Sequence, residues 1–176
     1  MKYYNFEGQI NKENVNLFLE FINNLGETKH LTFFLNSSGG SVCSGETLYN
    51  TLNHLLLGGI EVLMLINGEC SSTAIEVARN FTGEKRIISD IIHSILHLTT
   101  YSLNVRDLLK KNKNEVIYKA ISDDVDAKFI KEMSVYLNEW EIDLLKTGDD
   151  VQLSKEQLEK IINNKYNILR GYYYAW

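Results

Sequence analysis

Ser72 stands in the segment Gly68-Glu69-Cys70-Ser71-Ser72-Thr73-Ala74, directly after the apolar run of residues 60–66. That run has the length and composition of a buried strand. Ala74, Ile75, Val77, Ala78 and Phe81 then recur at the interval of a helix's inner face. A serine at a strand-to-helix turn can present its hydroxyl as a nucleophile while the first amides of the helix point at the same spot. The ordinary alternative is an N-cap, for which serine is equally suited. Ser71 is the neighbouring candidate nucleophile if the turn is shifted by one residue.

Three further segments carry chemistry that would complement such a serine. In Asn36-Ser37-Ser38-Gly39-Gly40-Ser41, adjacent glycines permit positive φ and close approach of a ligand, so the Gly40 amide is a candidate donor to a developing oxyanion. A flexible strand–helix turn is the plain alternative. His97 closes the apolar run of residues 91–97, where strand alternation places His93, Ile95 and His97 on one face. A histidine at the C-terminal end of a strand can act as a general base, with His93 as the fallback and a hydrogen-bonded structural role as the alternative. Nothing recommends His30 or His54. Finally, Asp149-Asp150 follows Gly148; a carboxylate there can accept from an imidazole Nδ1–H and fix its tautomer, although acids in a turn before a capped helix are commonplace.

Other chemistries fit less well. No Cys/His cluster has metal-ligand spacing, and neither G-x-G-x-x-G nor G-x-x-x-x-G-K-[ST] occurs, so no metal or cofactor is expected. A net charge of −5 leaves no basic stripe for nucleic acid, and Lys110-Lys111-Asn112-Lys113 reads as a solvated helix face. Two cysteines suit a reducing compartment, and no signal peptide or bilayer-length apolar run is present, so a cytoplasmic protein with no membrane segment is expected. The chain contains no proline, so its turns rest on Gly, Asn, Asp and Ser.

The elements that must position these residues alternate. A short strand is expected at residues 3–6, then an amphipathic helix on Val15, Phe18, Leu19, Ile22 and Leu25, ending near Gly26. A strand at 31–35 and a helical stripe on Leu48, Tyr49, Leu52, Leu55 and Leu56 follow, closed by Gly58-Gly59. Next come the strand at 60–66 and the helix from Ser72, and then two further strands at 86–89 and 91–97. Such alternation with short loops predicts an α/β domain with a mostly parallel sheet. Beyond residue 104 the chain turns helical and polar, with Phe129, Met133, Tyr136, Leu137, Trp140 and Leu144 on one face of a helix about five turns long. Ser154-Lys155-Glu156-Gln157 is a capping box with Leu153 and Leu158 as a staple, opening a helix to about Asn163. One domain, residues 1–176, accounts for the whole chain.

In order and spacing these segments resemble the proteolytic subunit of the Clp protease. Phe6-Glu7-Gly8-Gln9-Ile10 is similar to that family's F-L-G-x-I, Asn36-Ser37-Ser38-Gly39-Gly40 to its Asn-Ser-Pro-Gly-Gly loop, and Tyr49-Asn50-Thr51 to its Tyr-Asp-Thr. Gly68 through Ala74 resembles G-x-A-A-S-M-[AG], Gly83-x-Lys85-Arg86 the Gly-x-Lys-Arg after it, and Asp150-Val151-Gln152-Leu153-Ser154 the family's D-x-[FN]-[LM]-S. The resemblance implies a crotonase-like fold of stacked β-α-β units with a helical oligomerisation extension at about 104–147. It also implies a serine endopeptidase in which Ser72 is the nucleophile, His97 the base and Asp150 its orienting carboxylate, with the amides of Gly40 and Thr73 as the oxyanion hole. Peptides or unfolded proteins would be substrates, a homo-oligomeric ring the assembly, and a Clp-type ATPase a partner.

Departures from the pattern are concentrated around the site. Ser38 replaces the loop proline, Cys70-Ser71 two alanines, and Thr73 a methionine; Leu98 stands where glutamine follows the histidine. They frame a second hypothesis, a catalytically impaired ring subunit or scaffold. A crotonase-type acyl-CoA enzyme, with Glu69 or Glu76 as its carboxylate, leaves His97 and Asp150 without a role.

Overall fold

The computed structural model describes residues 1–98, 124 and 126–164, which divide into two compact units. The first holds Met1–Leu96 together with Gln152 and the helix after it; the second begins at His97 and runs to Val151.

Four strands of the first unit form one parallel sheet in chain order: β1 (Lys2–Glu7), β2 (His30–Ser37), β3 (Glu61–Cys70) and β4 (Arg86–His93). Each crossover contains a helix: α1 (Lys12–Asn23), α2 (Val42–Leu57) and α3 (Thr73–Asn80). This is the α/β architecture expected from the alternating pattern. The register aligns Phe6 with Leu35 and Leu35 with Ile66, and all three are buried. Phe33, Met64 and Val62 share that face and meet Val15 and Phe18 of α1, Leu48 and Leu52 of α2, and Ile75 and Val77 of α3 in one core. Tyr4, Phe18 and Phe33 pack as an aromatic cluster, Phe18 edge-on to both neighbours. Alternate residues face the other way and line a groove of about 600 Å³ that includes Tyr3, Asn5, Thr32, Phe34 and Asn67.

Two expectations need correction. The two strands expected at 86–89 and 91–97 divide differently: β4 runs unbroken from Arg86 to His93, and a two-residue strand, β5 (Ile95–Leu96), follows Ser94. Ser94 is fully buried and its hydroxyl donates to the Cys70 carbonyl at 2.6 Å, which interrupts the strand there. In the second unit, the single helix expected over Phe129 to Leu144 is two. Residues 126–133 are helical (α4), and a separate α5 (Glu139–Thr147) begins after Asn138. The Asn138 side chain accepts from the Glu141 amide while Glu141 accepts from the Asn138 amide, a reciprocal cap that starts a new helix inside the apolar stripe. Gly148, at φ +83, ends α5: its amide and that of Asp149 donate back to Leu145 and Leu144.

A two-residue strand, β6 (Val151–Gln152), precedes α6 (Lys155–Asn163). The Ser154–Gln157 capping box forms as the sequence requires. α6 buries Leu158, Ile161 and Ile162 beside α3. Arg86, half-buried, donates one guanidinium nitrogen to the carbonyls of Ala78 in α3 and Ile162 in α6, tying β4 to the ends of both helices. Among the described residues, no helix is long and apolar enough to cross a membrane.

Candidate active site

β3 delivers the chain to Cys70, and the turn into α3 is sharp. The Ala74 amide donates to the Ser71 carbonyl at 3.0 Å, closing a four-residue turn whose first central residue is Ser72. Ser72 has φ 52° and ψ −126°, the values of that position in a type II′ turn, where glycine is the usual occupant. Among the described residues it is the sole non-glycine with positive φ. Positionally Ser72 is the N-cap of α3, yet its side chain makes no capping hydrogen bond. Capping therefore does not explain the serine. The backbone is held in an unfavourable region while the hydroxyl stays unengaged and partly exposed.

Ser71 is spent otherwise. It is buried, its amide donates to the Ser37 carbonyl, and its hydroxyl accepts from the Ile95 amide at 2.9 Å. The Ser72 amide donates to the Ile95 carbonyl, also at 2.9 Å. With the Ser94–Cys70 bond, residues 94 and 95 are stitched to 70–72 by three hydrogen bonds, and the Leu153 amide adds a fourth by donating to the Ser94 carbonyl. Ser71 as a structural acceptor was not readable in sequence, because its partner lies 24 residues away. The buried Cys70 thiol is pushed far up by desolvation and by Glu69, which makes it an inert neighbour.

The glycine loop after β2 lies directly against this turn. Gly39 has φ +93°, and a Cβ there would stand 2.7 Å from the Ser71 carbonyl oxygen and from Ser72 Cβ. Only glycine permits that approach. The Gly39 carbonyl accepts from the Ile10 amide at 2.7 Å. Because the peptide is planar and trans, the Gly40 N–H points the opposite way, out of the Ile10 contact. Ser41 N–H, not Gly40 N–H, returns to the Ile10 carbonyl. At the other side of the turn, the Thr73 amide opens α3, where intrahelical acceptors are missing. Neither the Gly40 nor the Thr73 amide has a hydrogen-bond acceptor among the described residues.

The sequence profile of the Clp protease family matches residues 5–120, well over half of the chain. The chain belongs to the Clp protease family. The match takes in Gly40, Ser72, Thr73 and His97, whereas Asp150 lies beyond it. A whole-sequence comparison with curated proteins gave no match. Within this Clp protease chain, the structure brings together the glycine loop and the Ser72 turn in the first unit. His97, partly buried, and Asp150, exposed, belong to the second unit, and no hydrogen bond joins them among the described residues. Thr147 engages the carboxylate of Asp149 at 2.6 Å. No group of three or more metal-ligating side chains is found among the described residues.

Proposed function

We propose that this chain is a serine endopeptidase of the Clp proteolytic-subunit type. The observation that carries the reading is Ser72 at positive φ with its hydroxyl uncommitted, between two amides that have no acceptor among the described residues. In this mechanism Ser72 Oγ attacks the scissile carbonyl as His97 takes the hydroxyl proton. The tetrahedral oxyanion is met by the N–H groups of Gly40 and Thr73, which are fixed before the charge develops. His97 returns the proton to the leaving amine, and water, activated by His97, releases the acyl group from Ser72. Asp150 holds the imidazole in the tautomer that accepts at the serine side. No metal or cofactor takes part.

Family membership supports peptide or unfolded-protein substrates and a ring-like oligomer. We assign the segment at about 104–147, expected to be helical, to that assembly, within a single domain of residues 1–176, and place the protein in the cytoplasm. Much of that segment lies outside the described residues. Labelling with a fluorophosphonate probe tests the chemistry: the wild-type chain should be modified at Ser72, and Ser72→Ala should abolish it. A wild-type chain that stays unlabelled in its assembled form refutes the peptidase. One observation favours the second reading, a catalytically impaired ring subunit, namely the exposed Asp150 without a His97 hydrogen bond among the described residues. Under that reading the chain assembles, stays unlabelled and accompanies an active paralogue.

A further inference from the structure

Gly39 and Gly40 have no side chains with which to hold their own loop, and both have positive φ. The position of the Gly40 amide therefore depends on what grips the loop from outside. Ile10 grips it on one side through two backbone hydrogen bonds. Within the loop the Ser37 hydroxyl accepts from the Gly39 amide at 3.1 Å, and at Gly40 itself the remaining grip is one side chain. Thr73, which is buried, donates its hydroxyl to the Gly40 carbonyl at 2.8 Å.

The threonine methyl biases the side chain towards that bond. Thr73 Cγ2 occupies a notch on α2 at Gly45, where an added Cβ would overlap it; the next nearest atoms to that Cβ are Val77 Cγ2 at 3.5 Å and Ile10 Cγ2 at 3.8 Å. A β-branched side chain has few χ1 options, so seating the methyl in this notch aims the hydroxyl at Gly40. The residue whose amide opens α3 thus also holds, through its side chain, the loop that carries the Gly40 amide.

We propose that Thr73 is a positioning residue that sets the separation of the two oxyanion donors, and that Gly45 is the notch that fixes its rotamer. This rests on the peptidase reading above and names what keeps its oxyanion hole in register. Donors of this kind act when they stand about 2.7–3.1 Å from the position the developing oxyanion will occupy. The Thr73 bond reaches the loop next to Ser38, where no proline ring restrains the backbone.

The test uses the full chain in four variants, Thr73→Val, Thr73→Ser, Gly45→Ala and the double variant Gly45→Ala/Thr73→Ser. For each, the rate of Ser72 acylation by a fluorophosphonate is measured beside kcat and KM on a small activated ester, with thermal melting as the control for folding. Thr73→Val keeps the shape and removes the donor, so acylation and kcat should fall on the order of 10–100-fold with KM nearly constant, the size expected when reacting groups are misplaced. Thr73→Ser should stay within about threefold of wild type, because the donor that holds the second oxyanion amide is retained. Gly45→Ala should mimic Thr73→Val, because the new methyl evicts Cγ2. The double variant should recover most of the loss, because it removes the atom that clashes. That rescue decides the matter even if Thr73→Val fails to fold. A labelled wild type with Thr73→Val at full rate, or a double variant no faster than Gly45→Ala, overturns the proposal alone. An unlabelled wild type overturns the peptidase reading and this proposal with it.

Discussion

Replacing Ser72 by glycine should stabilise the fold relative to replacing it by alanine. Both variants lack the hydroxyl, so whatever it contributes cancels between them. Alanine must still adopt φ 52° and ψ −126°, whereas glycine enters that region freely. A non-glycine residue held in such a region costs about 1–3 kcal/mol. Against that relief stand the greater unfolded-state entropy of glycine, about 0.4–1 kcal/mol, and the loss of one partly exposed carbon, at most about 0.8 kcal/mol. The balance favours Ser72→Gly by roughly 1 kcal/mol. In a chain of this size that corresponds to a melting temperature about 2–4 °C higher than that of Ser72→Ala. Paired thermal and urea unfolding under identical conditions would measure it. A glycine variant that melts at or below the alanine variant would show that the turn carries no strain, and with it the case for a backbone shaped around the serine would fail.

Other outcomes follow from the same contacts. Ser71→Ala should lower stability by about 1–3 kcal/mol, because the Ile95 amide loses its buried acceptor; fluorophosphonate labelling of Ser72 should survive, with mass spectrometry of the modified peptide as the check. Arg86→Met should cost about 2–4 kcal/mol in urea unfolding, by leaving the Ala78 and Ile162 carbonyls without their charged donor. Burial already holds the Arg86 guanidinium below its ordinary pKa. The exposed Asp90–Lys155 pair predicts a pH dependence of defined sign. Lys155 holds the Asp90 carboxyl below its ordinary value, through a hydrogen bond first and charge second. The small stabilisation is therefore present above the unfolded pKa, about 3.9, and disappears as pH falls through the lower folded value. Acid titrations of wild type and Asp90→Asn should diverge above that window and converge below it.

Sequence pattern sufficed for the elements whose signals are local. The apolar spacing of α1, the Gly58 stop of α2 and the Ser154–Gln157 box each depend on residues within a few positions of one another. It did not reveal the break at Ser94, because the reason is a hydroxyl bound to a carbonyl 24 residues earlier. The division between α4 and α5 was written in Asn138 and Glu141, but a continuous apolar stripe ran through it and masked the cap. At the candidate site, the serine and the glycine loop were visible as residue types in order. What separated Ser72 from Ser71 was backbone geometry and a distant amide, and neither has a local signature. The Gly45 notch is a contact between two helices and is silent in either one alone.

The stitching of residues 70–72 to 94–95, and of 94 to 153, also bears on the order of events during synthesis. Ser72 leaves the ribosome long before Leu153 does. Until the later segments arrive, the Ser71 hydroxyl and the Ser72 amide lack the partners that hold the turn, and a serine left to itself relaxes away from positive φ. A half-made chain therefore lacks the contacts that shape the Ser72 turn, and under the peptidase reading proposed above its serine is not yet armed.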